Sequence, residues 1–555
     1  MLKTAATAGL VVAFLSGCSI DEVKTKPYEF TETALRQHVE TLASDAFGGR
    51  APGTAGEELT LQYLENTFKD MGLQPASGNS YRQEVPLVSI ETRGNPTLIL
   101  RGGASDHELS YREDQVVWTR REEGATALNN SELVFVGYGI NAPERGWNDY
   151  EGVDVRGKTV VMLVNDPGFA TQNNSIFNGN AMTYYGRWTY KFDEAARRGA
   201  AGALIIHETA PAAYPWATVD SSWTGPQFGA VRADKGRSLA AVEGWITTDT
   251  TDKLFAAAGL DRVALSKAAL RPNFRAVPMN MTVSTKFTND IKHVTSYNVA
   301  AILPGTEAPD ETFIYMAHWD HLGTDPTIEG DGIYNGALDN ATGTGGLLEL
   351  AKKYAAAPER PRRSVMFLAV TAEEQGLLGS AYYAANPLHP LADTVGGLNM
   401  DGLNYFGPTS DVAIIGLGNS ELDDIIGAAA GEQGRTLTAD AEPEKGYFYR
   451  SDHFELAKFG VPMIYPGSGT IHKEKGKAFV DAVNADYLAK NYHKPSDELT
   501  DDWTFEGAIE DLELYYMTGR RIVDTELWPN WREGNEFKAA RDKQRDVQRN
   551  GQEEP

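Results

Sequence analysis

Apolar residues recur along this chain with two different periods, and the change of period outlines its organisation. Over residues 30–44, Leu35, Val39 and Leu42 fall on one helical face, which predicts an amphipathic helix. A second helix is predicted over 57–71, beyond the stretch Leu42-Ala43-Ser44-Asp45-Ala46-Phe47-Gly48-Gly49-Arg50-Ala51-Pro52-Gly53. From about Ser131 short β-branched runs take over. Residues 133–136, 158–164 and 203–206 read as strands, and 190–198, stopped by Gly199, as a helix. From about Ser296 buried strands are predicted at 313–317, 365–371, 395–400 and 461–465, alternating with helices at 343–355 and 505–525. The expected organisation is therefore an N-terminal part (27–130), an α+β insert (131–275), an α/β domain (285–530) and a charged, apolar-poor loose tail (531–555).

Composition narrows the function classes. A chain of 555 residues, 41% hydrophobic and 23% charged, is folded and built of two or three domains. Its net charge of −26 excludes a nucleic-acid backbone as the main partner, which needs a basic footprint. The single cysteine, Cys18, leaves no disulfide and no thiolate ligand for the rest of the chain. Lys3, the apolar stretch 9–15 and Leu15-Ser16-Gly17-Cys18 read as a signal peptide over residues 1–17, too short to span a bilayer. The last four resemble the bacterial lipobox. That resemblance implies an exported lipoprotein anchored to the membrane at Cys18, with Ser19 pointing to the outer membrane, facing the periplasm.

The candidate chemistry gathers where the α/β strands end, as binding groups do in open α/β sheets. His318-Trp319-Asp320 follows the first strand, Glu373-Glu374 the second, and Asp401 ends the third. Asp339 opens Asp339-Asn340-Ala341-Thr342-Gly343 just before a helix, where a carboxylate alone would read as an N-cap. His493 lies in the loop Tyr492-His493-Lys494-Pro495-Ser496-Asp497. Two imidazoles and three carboxylates suffice for two zinc ions if one carboxylate bridges. A glutamate beside them could act as general base toward water. Each signal is weak alone; order and spacing carry the inference.

In order, the motifs are His318-Trp319-Asp320, Asp339-Asn340-Ala341-Thr342-Gly343, Glu373-Glu374-Gln375-Gly376-Leu377-Leu378-Gly379-Ser380, Asn399-Met400-Asp401, Ser451-Asp452-His453 and His493. This set resembles the zinc-dependent exopeptidase family of the secreted bacterial leucine aminopeptidases, aminopeptidase Y and glutamate carboxypeptidase. The resemblance implies an α/β fold with a mixed central sheet flanked by helices. It implies two Zn2+ ions per chain, one on His318 and Asp401, the other on Glu374 and His493, with Asp339 bridging. It makes Glu373 the general base and has Asp320 hydrogen-bond the far nitrogen of His318. His321 is expected to point elsewhere, and His453 and His472 to be loop or supporting groups. Either Tyr447 or Tyr449 could stabilise the oxyanion, and the choice stays open.

The insert, with Val155-Arg156-Gly157-Lys158-Thr159-Val160-Val161 and Ala195-Ala196-Arg197-Arg198-Gly199-Ala200-Ala201-Gly202-Ala203, resembles the protease-associated domain, whose implied role is to wall or lid the cleft. The activity these resemblances imply is an aminopeptidase acting on peptides with a free N-terminus. The alternatives are a carboxypeptidase or a glutaminyl-cyclase-like enzyme of the same fold. The interval of 21 residues from His318 to Asp339 is closer to the aminopeptidases. Receptor-like relatives that have lost their metals would show eroded ligand positions, and here every one is present.

Overall fold

The computed structural model describes residues 27–552, so Cys18 and the signal stretch lie outside the described residues. The two N-terminal helices form as predicted. Glu32–Leu42 is capped by the Thr31 hydroxyl on the Ala34 N–H and buries Leu35, Val39 and Leu42. Ala55–Asp70 is capped in the same way by Thr54.

Five strands build the sheet that carries the site, in the spatial order Met463–Ile464, Thr394–Asn399, Ala308–His318, Arg363–Val370, Val277–Leu303. The first four run parallel, and the fifth is antiparallel to Arg363–Val370. Both faces are apolar because alternate residues enter different cores. Phe313, Tyr315 and Ala317 pack with Leu347, Leu350 and Leu512 from the helices Gly343–Ala355 and Glu506–Val523. Ile314 and Met316 pack with Tyr383 and Leu456 from Leu378–Ala385 and His453–Lys458. Each fully buried large apolar side chain stabilises this layer by about 1.5–3 kcal/mol. The fold is thus α/β, a mixed central sheet flanked by helices.

Val277–Leu303 runs out of this sheet into a second body. Its start pairs with Ala125–Phe135 and Leu98–Arg101, and its later part with Arg82–Arg93. Beyond it lie the parallel strands Thr159–Leu163, Gly202–Ile206 and Val242–Ile246, closed by antiparallel Gln115–Trp118. Leu98, Leu100, Leu109, Val117 and Leu128 belong to the core of this body together with Phe135, Val161 and Phe287. The insert therefore begins near residue 98, not at 131 as the local pattern suggested. The early strands pair with segments more than a hundred residues away, and no local periodicity reveals that.

The C-terminal segment departs from the loose charged tail expected over 531–555. Trp531, Phe537 and Arg541 are buried, and Lys538–Gln552 is helical. Arg541 donates to the carbonyls of Thr394 and Val395 and so ties down the start of a core strand. Few apolar anchors scattered among charges gave no periodic signal. Among the described residues no helix is long and apolar enough to cross a membrane.

Candidate metal centre and catalytic site

His318 ends its strand fully buried, with Nε2 3.2 Å from Asp401 Oδ1 and 3.3 Å from Asp339 Oδ1. The other oxygen of Asp339, Oδ2, lies 3.2 Å from His493 Nε2, which is 3.0 Å from Glu374 Oε2. Asp339 sits in the turn before Gly343–Ala355, and its peptide bond to Asn340 is cis. All five candidate ligands are thus brought together, with Asp339 presenting one oxygen to each half of the cluster.

Two expectations are corrected. His321 does not point away: its Nδ1 lies 2.6 Å from Glu374 Oε1, and with Asp339 and Glu374 it brings donor atoms close enough together to hold a metal ion. The strand has ended at His318, so side-chain alternation no longer applies, and residues three apart face the same site. Asp320, in turn, does not grip His318 with its carboxylate. His318 Nδ1 donates to the Asp320 backbone carbonyl at 3.2 Å, while the nearer carboxylate oxygen stays 3.9 Å away. That carboxylate instead accepts the backbone N–H groups of Glu373 at 3.1 Å and Glu374 at 3.4 Å.

The electrostatics separate the two glutamates. Burial pushes the Glu373 carboxyl well above the usual range; His318 opposes the shift, and Asp401 and Glu374 reinforce it. Glu374, despite burial and the nearby Asp339, is drawn down to about 2 by His493 and His321. Against the lowering effect of burial, Glu374 and Asp339 hold the His493 imidazole up at about 10. The cluster therefore strongly favours positive charge at its centre. With imidazole nitrogens and carboxylate oxygens converging at 3.0–3.3 Å, it offers the donor set that zinc prefers.

Several supporting groups escaped the sequence reading. Ser451 donates to Asp401 Oδ2 at 2.6 Å and is itself held by Asn399 Nδ2 at 2.7 Å. The Tyr465 hydroxyl lies 3.4 Å from the same Asp401 oxygen. Asp497 accepts the backbone N–H groups of Leu338 and Asp339, both at 3.1 Å. An acidic residue four positions after His493 was the only available signal for it. Of the two oxyanion candidates, Tyr449 is committed elsewhere, buried with its hydroxyl on Glu536 at 2.9 Å. Tyr447 packs against the Arg450 guanidinium. Tyr492 stacks on His493 with 3.9 Å between ring centres.

The segment 180–184 of the insert reaches this neighbourhood. Tyr184 packs against Phe454 and Tyr449, Met182 N–H bonds the Pro443 carbonyl, and Asn180 bonds Glu444. The segment it grips leads directly into Ser451.

Residues 298–517, which contain all five candidate ligands, match the model of peptidase family M28. That segment is therefore similar to the peptidases of family M28. Among curated relatives, a probable zinc metalloprotease of Pyricularia oryzae is 36% identical over 104 residues, 19% of this chain and 20% of that protein. Aminopeptidase NAALADL1 of Mus musculus is 32% identical over 140 residues, 24% of this chain and 17% of that protein. The matched region thus spans about a fifth of the length of these relatives. Among solved structures, an aminopeptidase from Aneurinibacillus sp. strain AM-1 superposes with a TM-score of 0.48 at 18% identity, over 90% of this chain and 95% of that one. A zinc aminopeptidase from Bacillus subtilis gives 0.44 at 17% identity, over 90% and 98%.

Proposed function

We propose that this chain is a two-zinc aminopeptidase that removes the N-terminal residue from peptides. The observation that carries the reading is the central Asp339 carboxylate, one oxygen against His318 and the other against His493. His318 and Asp401 would hold one ion, Glu374 and His493 the other, and Asp339 both; His321 stands against Glu374 as a further nitrogen donor on that side. Zinc bound there supplies Lewis acidity and a water of lowered pKa.

The remaining steps belong to the protein. Glu373, raised in pKa and bonded to no ligand position, takes a proton from the attacking water and returns it to the leaving amine. Asp320 fixes the backbone from which Glu373 projects. A metal ion held there would offer a ligand position to the free α-amine of a peptide, which favours cleavage at a free N-terminus. A panel of aminoacyl chromogenic substrates beside N-blocked peptides tests this. Zinc-dependent turnover of the first set alone is expected, whereas turnover of N-blocked peptides would replace the reading with the carboxypeptidase one.

Two further parts of the reading rest on sequence. The insert acts as a protease-associated wall of the cleft, supported by the docking of its Tyr184 loop beside Ser451. Cys18 carries a lipid that anchors the exported enzyme to the outer membrane, and Cys18→Ala should release active protein from the membrane fraction.

A further inference from the structure

The N-terminal motif Phe47-Gly48-Gly49-Arg50 lies outside the chemistry described so far, yet the structure builds it into the site. Arg50 is 1% exposed. Its guanidinium donates to four backbone carbonyls: Trp319 at 2.9 Å, Leu42 and Asn335 at 2.6 Å each, and Gly336 at 2.9 Å. Trp319 directly follows the ligand His318, and Gly336 stands three residues before the ligand Asp339. One rigid, five-donor fork thus ties together the two segments whose side chains meet at His318 Nε2 and Asp339 Oδ1. Lysine, with three donors on a flexible stem, cannot reproduce four fixed directions.

Two backbone features show that the motif is shaped for this insertion. A Cβ on Gly49 would come within 2.3 Å of the Gly323 carbonyl oxygen and 2.6 Å of that of Tyr334, so only glycine lets the turn pack against the paired strands Gly323–Thr324 and Ile333–Tyr334, which lie between His318 and Asp339 in the chain. Arg50 itself holds φ +49, a conformation that non-glycine residues adopt only where surrounding contacts over-determine it. Those contacts are the four carbonyls. A buried cation would ordinarily sit against a carboxylate, but every hydrogen bond of Arg50 among the described residues goes to a carbonyl. Its charge faces Asp497, Asp320, Asp339 and Glu374 at longer range, and these oppose the lowering that burial imposes on it. Asp497 completes the grip on the Asp339 turn, taking its N–H groups while Arg50 takes its carbonyls.

We infer that Arg50 is a positioning residue for the metal centre, holding the His318 and Asp339 segments at the spacing that zinc requires and adding a fixed positive charge behind their carboxylates. This rests on the two-zinc reading above. The test uses the full chain and its Arg50→Met and Arg50→Lys variants. Zinc affinity is measured by competition with a chromophoric chelator, and melting is followed with and without zinc. Because a ligand stabilises only the state that binds it, the gain in melting temperature on adding zinc reports the site and not the fold at large. Arg50→Met is expected to raise the zinc Kd at least tenfold and to shrink that gain, with Arg50→Lys falling between it and the wild type. The inference is overturned if Arg50→Met melts lower by the same amount with and without zinc and keeps its zinc Kd within twofold. Should Arg50→Met fail to fold, the comparison is made on Arg50→Lys, where an unchanged zinc Kd overturns it equally. A wild-type chain that binds no zinc would instead refute the metal reading itself.

Discussion

The Asp320 carboxylate accepts the backbone N–H of Glu373 at 3.1 Å, and that contact joins the turn after the first core strand to the tip of the second. Its second oxygen serves Glu374 at 3.4 Å. Asp320→Asn would turn an NH2 group toward one of these N–H donors and leave it without an acceptor. We expect a fall in kcat of tenfold or more, on the scale of about 1–3 kcal/mol for a buried donor left unsatisfied, with zinc content close to wild type. Steady-state kinetics and metal analysis check this; an unaltered kcat would remove Asp320 from the machinery.

Glu373 and Glu374 are adjacent and chemically alike, but only Glu374 touches His493 and His321. Glu373→Gln should lose about 10²–10⁴ in rate, the usual contribution of a general acid–base group, while retaining zinc and its melting temperature. Glu374→Gln should lose metal first. Zinc depletion in Glu373→Gln but not in Glu374→Gln would exchange the two roles.

Asp339 reaches both His318 and His493, whereas of these two histidines Asp401 reaches His318. Asp339→Ala is therefore expected to hold almost no zinc after dialysis, and Asp401→Ala to keep about one ion per chain. Equal residual zinc in the two variants, measured by atomic absorption, would contradict the bridging position.

Tyr184 is the aromatic contact of the insert with Phe454 and Phe537 beside the site. Tyr184→Ala removes a half-buried ring and should cost about 2 kcal/mol of stability. It should also raise KM for peptides more than for single aminoacyl substrates. Proportional changes for both substrate classes would make the insert a spacer.

His453 is fully buried between the rings of Phe448 and Tyr465, and burial lowers its imidazole to about 3. The unfolded chain takes up this proton near pH 6.5, which the fold refuses until about 3. Stability is therefore lost progressively as pH falls through that window, by an amount on the order of a few kcal/mol. His453→Leu should flatten this acid slope in urea titrations at pH 7 and pH 4.5. An unchanged slope would show that other groups set the acid limit.

The sequence by itself determined the elements of the α/β domain and the identity of the five converging groups. The strands 313–317, 365–371 and 395–400 are apolar on both faces, and that pattern is visible locally. His318, Asp339, Glu374, Asp401 and His493 stand at element ends whose order along the chain suffices to select them. Tertiary structure decided what depends on pairing across long separations. Leu98 and Val117 belong to the insert because their strands bond to residues beyond 240. Trp531 and Phe537 anchor a tail that composition alone marks as loose. His321 joins the site and Asp320 turns from His318 to the Glu373 and Glu374 amides because the chain leaves strand geometry after His318. Arg50 lies 269 residues before Trp319, and its place behind the cluster exists only once two distant turns close around its guanidinium. A hydrogen bond between such partners leaves no trace in local periodicity, since its direction is set by backbone that the rest of the fold must first put in position.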